Sequence, residues 1–290
     1  MKTKVPKIVH FCFGLSPTFG FKPWSLVHYV SVRSAYERLR PDAIYLYYEY
    51  EPSGPWWDIT LPLITPVPVQ APRHAFGHPL NAVQHRADFL RLEKIIQYGG
   101  IYLDADIIAV RSFDDLLHHD FVMGEEGPAG SHGLSNAVLI SSPNSAFARR
   151  WYEDYRSFND AHWTHHSILR PKQLAEQYPA EITVLPHTAF TWPLHYKEHL
   201  KWIFESDRPV DQNAYTRHLW ESLSWSKYLR NITPGEVRSA QTNFSAWVRP
   251  YLLDLEDAYG AKKTHTKLTE LATEFLGRLS KHVRTRRLTK

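Results

Sequence analysis

The chain has 290 residues, 43% hydrophobic and 14% aromatic, enough apolar side chain for one large core or two small ones. Its 34 Lys and Arg against 30 Asp and Glu leave a formal charge of +4, too small an excess at this size to mark a nucleic-acid binder by charge alone. The single cysteine, Cys12, excludes an intramolecular disulfide and a multi-cysteine zinc site and points to a reducing compartment; no run approaches the roughly 20 apolar residues of a membrane span.

Lys7-Ile8-Val9-His10-Phe11-Cys12-Phe13-Gly14 reads as a buried strand closing on glycine, too short and interrupted for a signal-peptide core. Residues 24–39 carry a helical pattern through Leu26, Tyr29, Val32, Tyr36 and Leu39, and Pro41 stops it before a strand over 43–48. Prolines at 62, 66, 68, 72 and 79 make the next stretch irregular, with a short strand at Val67–Val69. A long helix over 81–98 ends at Gly99-Gly100 before the apolar strand Ile101–Leu103. A strand at Val138–Ile140, a helix opening at Asn144-Ser145 and an edge strand at 182–185 follow, so the alternation predicts an α/β sheet flanked by helices. Residues 160–230, rich in His and Trp, give no clear period. The domain boundary is expected at 250, with 251–290 a helical tail carrying a Leu stripe and the basic cluster Lys281, Arg284, Arg286, Arg287 and Lys290.

The densest chemistry lies at 86–106. On a helical wheel Asp88 and Arg91 share the side of Leu92 and Ile95. An acid and a base on an apolar face are either a structural ion pair three residues apart or a site for a polar ligand. Gly99-Gly100 allow a reversal with positive φ. Along the strand that follows, Tyr102, Asp104 and Asp106 share one face by the two-residue period, and two carboxylates so placed can hold Mg²⁺ or Mn²⁺. An isolated Asp-x-Asp also occurs in turns. At the end of an apolar strand, where open α/β sheets bind ligands, it carries more weight.

Arg86-Ala87-Asp88-Phe89-Leu90-Arg91 with Tyr98-Gly99-Gly100-Ile101-Tyr102-Leu103-Asp104-Ala105-Asp106 resembles the sugar-binding region of the DXD-containing glycosyltransferases, among them family 32 mannosyltransferases, α-1,4-galactosyltransferases and clostridial glucosylating toxins. The resemblance implies a GT-A type, Rossmann-like mixed sheet over residues 1–250, a UDP- or GDP-sugar donor, and a bound Mn²⁺ or Mg²⁺. It places Asp88 and Arg91 on the donor sugar, Tyr102 beside the donor, Asp104 on donor and metal, and Asp106 on metal. Val5–His10 is similar to the family's first strand, so Phe11 or Phe13 is expected to line the base pocket. Asn136, in Ser135–Ile140, matches a donor- or acceptor-contacting Asn, although a turn role suits it equally. Tyr215–Trp220 with Ser224-Trp225 is similar to the family's C-terminal motif, which makes His218 a third metal ligand and Trp220 or Trp225 a cover. Glu221 departs from the small or amide residue expected there.

These readings predict hexosyl transfer to a glycan or lipid-linked glycan hydroxyl, with retention of configuration, in bacterial surface-polysaccharide synthesis. The place of action is expected to be the cytoplasm, with the basic tail a candidate peripheral contact at the inner membrane face. The alternatives are a metal-dependent nucleotide-sugar hydrolase and a non-catalytic glycan-binding protein on the same scaffold. The clusters His118-His119 and His162–His166 are expected to be loops or surface, since consecutive histidines do not readily converge on one ion.

Overall fold

The computed structural model describes residues 3–210 and 213–261. Its strands are β1 (Ile8–Cys12), β2 (Ala43–Tyr48), β3 (Thr65–Pro68), β4 (His74–Ala75), β5 (His78–Pro79), β6 (Gly100–Leu103), β7 (Ile107–Ala109), β8 (Phe121–Glu126), β9 (Gly133–Ser141), β10 (Thr183–Leu185) and β11 (Thr216–His218). Its α-helices are α1 (Leu26–Leu39), α2 (Pro55–Thr60), α3 (Val83–Tyr98), α4 (Ala146–Asp154), α5 (Arg170–Gln177), α6 (Lys197–Glu205), α7 (Glu221–Ser224), α8 (Pro234–Ser239) and α9 (Asn243–Val248). Single π-helical turns run over His165–Leu169 and Trp225–Leu229.

Seven strands form a mixed sheet in the order β10-β8-β9-β6-β1-β2-β3. Strands β1, β2, β3 and β6 run parallel, β9 lies antiparallel between β6 and β8, and β10 is parallel to β8. The two-residue period divides the core between the faces. Ile101, Leu103, Val122, Val138 and Ile140 join one apolar cluster with Val27 and Val30 of α1. Tyr102, Phe121, Met123 and Leu139 join the other, with Phe89, Leu92 and Ile95 of α3 and Trp151 of α4. Every residue of β9 is buried, as a central strand covered on both faces requires.

The turn from α3 into β6 needs both glycines. Gly99 and Gly100 have φ of 65° and 102°, and a Cβ on Gly100 would stand 2.5 Å from the Ile8 carbonyl oxygen. The turn is pinned from the sheet side, where His10 Nε2–H donates to the Gly99 carbonyl at 2.8 Å and His10 Nδ1 accepts from the Tyr47 hydroxyl at 3.0 Å.

The first helix, its flanking strands and α3 lie where their patterns place them. The acidic pair does not continue the strand. β6 stops at Leu103, and Ile107 N–H donates to the Asp104 carbonyl at 3.0 Å, so Asp104-Ala105-Asp106 forms a bend leading into β7. β7 then pairs antiparallel with β11, Ile107 opposite His218. The compact unit runs to Gly260, past the boundary expected at 250; Tyr251 and Leu252 are buried in its core because they cover the apolar side of α1 and β7. The Leu stripe and basic cluster of the expected tail lie outside the described residues. Among the described residues no helix is long and apolar enough to cross a membrane.

Candidate functional site

A cavity of about 390 Å³ opens where β1, β6 and β8 reach their carboxyl ends. This is the edge at which open α/β sheets receive ligands, and the volume suits a small molecule. Cys12 and Phe13 border it from the end of β1, Asp88 and Arg91 from α3, Tyr102, Asp104, Ala105 and Asp106 from β6 and its bend, and Ser135 and Asn136 from β9. His218, Trp220 and Glu221 close the opposite side.

Arg91 organises the inner wall. Its Nη2 lies 3.1 Å from Asp88 Oδ1, its Nη1 lies 3.2 Å from Asp104 Oδ1, and Nη1–H also donates to the Asn136 carbonyl at 2.7 Å. The guanidinium carbon sits 4.4 Å from the centre of the Tyr102 ring, in cation–π range. Asn136 Nδ2–H donates to Asp88 Oδ1 at 2.7 Å, and the Tyr102 hydroxyl donates to Asp104 Oδ1 at 2.8 Å. The structural ion pair and the ligand site are therefore one assembly. Burial raises the Asp88 and Asp104 carboxyls against the lowering pull of Arg91. Among the described residues the hydrogen bonds that these two carboxylates accept from Asn136 and Tyr102 fall on Oδ1, which leaves Oδ2 of each without a hydrogen-bond donor.

Asp106 is held differently. Its Oδ2 accepts from the Glu221 N–H at 2.7 Å and lies 3.4 Å from His218 Nε2. Burial works against its charge, but His218 and the Glu221 N–H outweigh it and bring the carboxyl down to about 2. Burial likewise opposes protonation of His218, and Asp106 reverses that, raising the imidazole. The His218 ring stacks on Trp220 with centroids 3.8 Å apart and planes 23° from parallel, and Trp220 Nε1–H donates to the Pro193 carbonyl at 2.7 Å.

Among the described residues no three His, Cys, Asp or Glu side chains stand close enough together to form a metal centre unaided. Asp106 and His218 nonetheless converge, Asp104 borders the same cavity, and His218 Nδ1 is a buried polar atom without a protein partner. Two carboxylates and an imidazole form a donor set acceptable to Mn²⁺, with water or ligand oxygens completing the shell. The residues fit an open cation site.

The structure brings together Asp88, Arg91, Tyr102, Asp104, Asp106, Asn136, His218 and Trp220. Phe11 is a correction: strand alternation turns it into the core beside Val9, fully buried, and Phe13, just past the strand end, borders the cavity. Asn136 lies within β9 rather than in a turn. Trp220, 8% exposed, is a fixed wall, whereas Trp225 does not border the cavity. Arg91 has all three nitrogens engaged with protein groups, Nε–H reaching the Ala87 carbonyl at 3.3 Å, which leaves Asp88 freer to meet a hydroxyl.

Several lining residues were given no place at the site by the sequence reading. Glu221 pairs with Lys22 at 3.0 Å and with His28 Nε2 at 2.9 Å, which accounts for an acid where a small or amide residue was expected. Lys22 lies within the loop marked by Pro17, Gly20 and Pro23, where an isolated Lys carries no signal. Glu126 ends β8, and an acidic pair closing the apolar run Phe121–Met123 before Gly127 is the same signal that singled out Asp104. Trp163 and Thr164 of the His-rich stretch border the cavity, Trp163 being 57% exposed, while His118 and His119 pack on each other away from it.

Residues 70–122 match the model of a family described as a glycosyltransferase sugar-binding region containing a DXD motif. A protein named glucan organizing enzyme 1, from Cryptococcus neoformans var. grubii serotype A, is 38% identical over 265 residues, covering 87% of this chain and 72% of that protein. Among solved structures, the apo-form glycosyltransferase GlyE of Streptococcus pneumoniae TIGR4 is 12% identical with a TM-score of 0.49, over 86% of this chain and 63% of that one. The galactosyltransferase LgtC, in complex with donor and acceptor sugar analogs, is 13% identical with a TM-score of 0.44, over 87% of this chain and 98% of that one.

Proposed function

The chain belongs to the glycosyltransferases with a DXD-containing sugar-binding region, and on that premise we propose that it transfers a hexosyl group from a UDP- or GDP-sugar to a glycan or lipid-linked glycan hydroxyl, with Mn²⁺ or Mg²⁺ as cofactor. The carrying observation is the Arg91 bridge, which draws the α3 face and the Asp104 bend into one cavity wall opposite His218.

In this reading Asp88 Oδ2 accepts from a donor sugar hydroxyl, while Arg91 is a positioning residue that keeps Asp88 and Asp104 ionised and oriented. Tyr102 fixes Asp104 from the strand, and Asn136 fixes Asp88 from β9. Phe13 offers a ring to the nucleotide end, and Trp220 walls the diphosphate region. Asp104, Asp106 and His218 would hold the cation, whose charge supports the diphosphate as it leaves. The reading includes retention of anomeric configuration, supported by the family resemblance.

Acceptor identity is the finer part. The name of the 38% identical relative suggests glucan as an acceptor class, beside the bacterial surface polysaccharide expected from the sequence. A cytoplasmic site of action with the basic tail at the membrane face also stays a proposal, resting on the composition of residues 281–290. Incubating the full chain with UDP- and GDP-hexoses, Mn²⁺ and glucan or lipid-linked oligosaccharides, while following sugar incorporation, tests the reaction. Donor cleavage that no acceptor alters would favour hydrolysis and remove the reading.

A further inference from the structure

Five carboxylates border the cavity, from Asp88, Asp104, Asp106, Glu126 and Glu221. Four are held by protein groups. Asp88 is tied to Asn136 and Arg91, Asp104 to Tyr102 and Arg91, Asp106 to the Glu221 N–H and His218, and Glu221 to Lys22 and His28. The Glu126 carboxylate differs. Among the described residues none donates a hydrogen bond to it, and its nearest ion-pair partner, His195 Nδ1, stands 3.9 Å away, beyond hydrogen-bond reach. The side chain is nevertheless only 14% exposed. Its oxygens are not among the buried polar atoms that lack a partner, so water reaches them from the cavity, and an incoming hydroxyl can replace that water without displacing a protein donor.

Its surroundings indicate which ligand. The His195 ring packs edge-on against Trp220 at 5.2 Å, and Trp220 stacks on His218, so Glu126 borders the compartment next to the proposed cation site. On the outward side His195 touches Tyr196, whose hydroxyl bonds His132 Nε2 while 41% of the residue stays exposed. Beyond Tyr196 the rings of His199, Trp192 and Trp202 continue the ridge. A carboxylate without a hydrogen-bond donor, joined through His195 to an exposed tyrosine ring, offers what carbohydrate recognition uses, the acid for a hydroxyl and the ring for the apolar face of a sugar.

Resting on the transferase reading, we propose that Glu126 binds the attacking hydroxyl of the acceptor and that Tyr196 supports the next sugar ring, so that the acceptor is a glycan chain rather than a single sugar. In the transfer the bond from the sugar C1 to the phosphate oxygen breaks and a bond from C1 to the acceptor oxygen forms. The acceptor proton passes to the departing phosphate oxygen, so Glu126 orients the hydroxyl without becoming protonated.

Calorimetric titration of the full chain with glucose, maltopentaose and laminaripentaose, and separately with UDP- and GDP-hexoses plus Mn²⁺, tests this. One pentasaccharide should bind at least about tenfold more tightly than glucose, and Glu126→Ala and Tyr196→Ala should each weaken it by about tenfold while donor affinity stays within about twofold. Glu126→Gln, which keeps an acceptor oxygen, should recover part of the loss. Pentasaccharide binding no better than glucose in the wild type, unchanged in both variants, or lost together with donor binding, would overturn the assignment. Failure of the wild type to bind any nucleotide sugar would instead remove the transferase reading itself.

Discussion

Arg91 Nη1 lies 3.2 Å from Asp104 Oδ1 while Nη2 of the same guanidinium lies 3.1 Å from Asp88 Oδ1, so one cation joins a helix to the bend after the adjoining strand. Asp88 and Arg91 are buried and Asp104 is part-buried, and a buried ion pair repays its desolvation only when every partner is present. The bridge therefore makes the acidic bend depend on α3.

Removing the cation should expose that dependence. Arg91→Met leaves the buried Asp88 carboxylate and the part-buried Asp104 carboxylate without their shared cation and should cost about 2–4 kcal/mol of stability in denaturant unfolding. The double variant Arg91→Met, Asp88→Asn should recover part of this, because one orphaned charge is gone. An Arg91→Met chain that unfolds at the wild-type denaturant concentration would show that the bridge carries no stability.

The glycine hinge makes a second demand. Gly100→Ala combines a φ of 102° with a Cβ 2.5 Å from the Ile8 carbonyl oxygen, and should cost more than about 2 kcal/mol by thermal or denaturant unfolding. Gly20→Ala also has positive φ but meets nothing within 4 Å, and should cost only about 1 kcal/mol. Equal effects would mean that backbone strain, not the approach of β1, sets the cost.

Acid should weaken the fold through His10. Burial, reinforced by Lys94 and only partly offset by the Gly99 carbonyl, lowers its imidazole from 6.5 to about 4. The native state thus refuses a proton that the unfolded chain accepts below 6.5. The contribution is complete above that pH and is lost as pH falls from 6.5 towards 4, by about 3 kcal/mol in all. His166, also lowered by burial to about 4, acts in the same window. Stability measured from pH 7 to 4 should fall less steeply in His10→Asn than in the wild type; identical slopes would refute this account of His10.

Much of the frame is legible because it is local. The 3.6-residue period of 81–98 and the two-residue period of β6 assign their own faces, and Gly99-Gly100 announce the reversal between them. Asp88 and Arg91 stand out because charge on an apolar stripe is expensive. What escaped depends on contacts between distant segments. Glu221 gains its meaning from Lys22 and His28, nearly two hundred positions away, and β11 is recognisable only once Ile107 faces His218. Phe11 and Phe13 could not be separated, since where β1 stops decides which ring reaches the cavity. The bend at Asp104 was hidden because its hydrogen bond, from Ile107 N–H, looks from sequence like a continuing strand.

The proposed role of Asp106 and His218, to hold a cation for the nucleotide sugar, is tested most directly by binding. Titrating UDP- and GDP-hexoses into the wild type, Asp106→Asn and His218→Ala chains, with Mn²⁺ and with chelator, should show binding by one donor class only when Mn²⁺ is present. That binding should weaken by about thirtyfold or more in Asp106→Asn and by a smaller factor in His218→Ala. Donor binding of equal strength in chelator, or unchanged in Asp106→Asn, would contradict it.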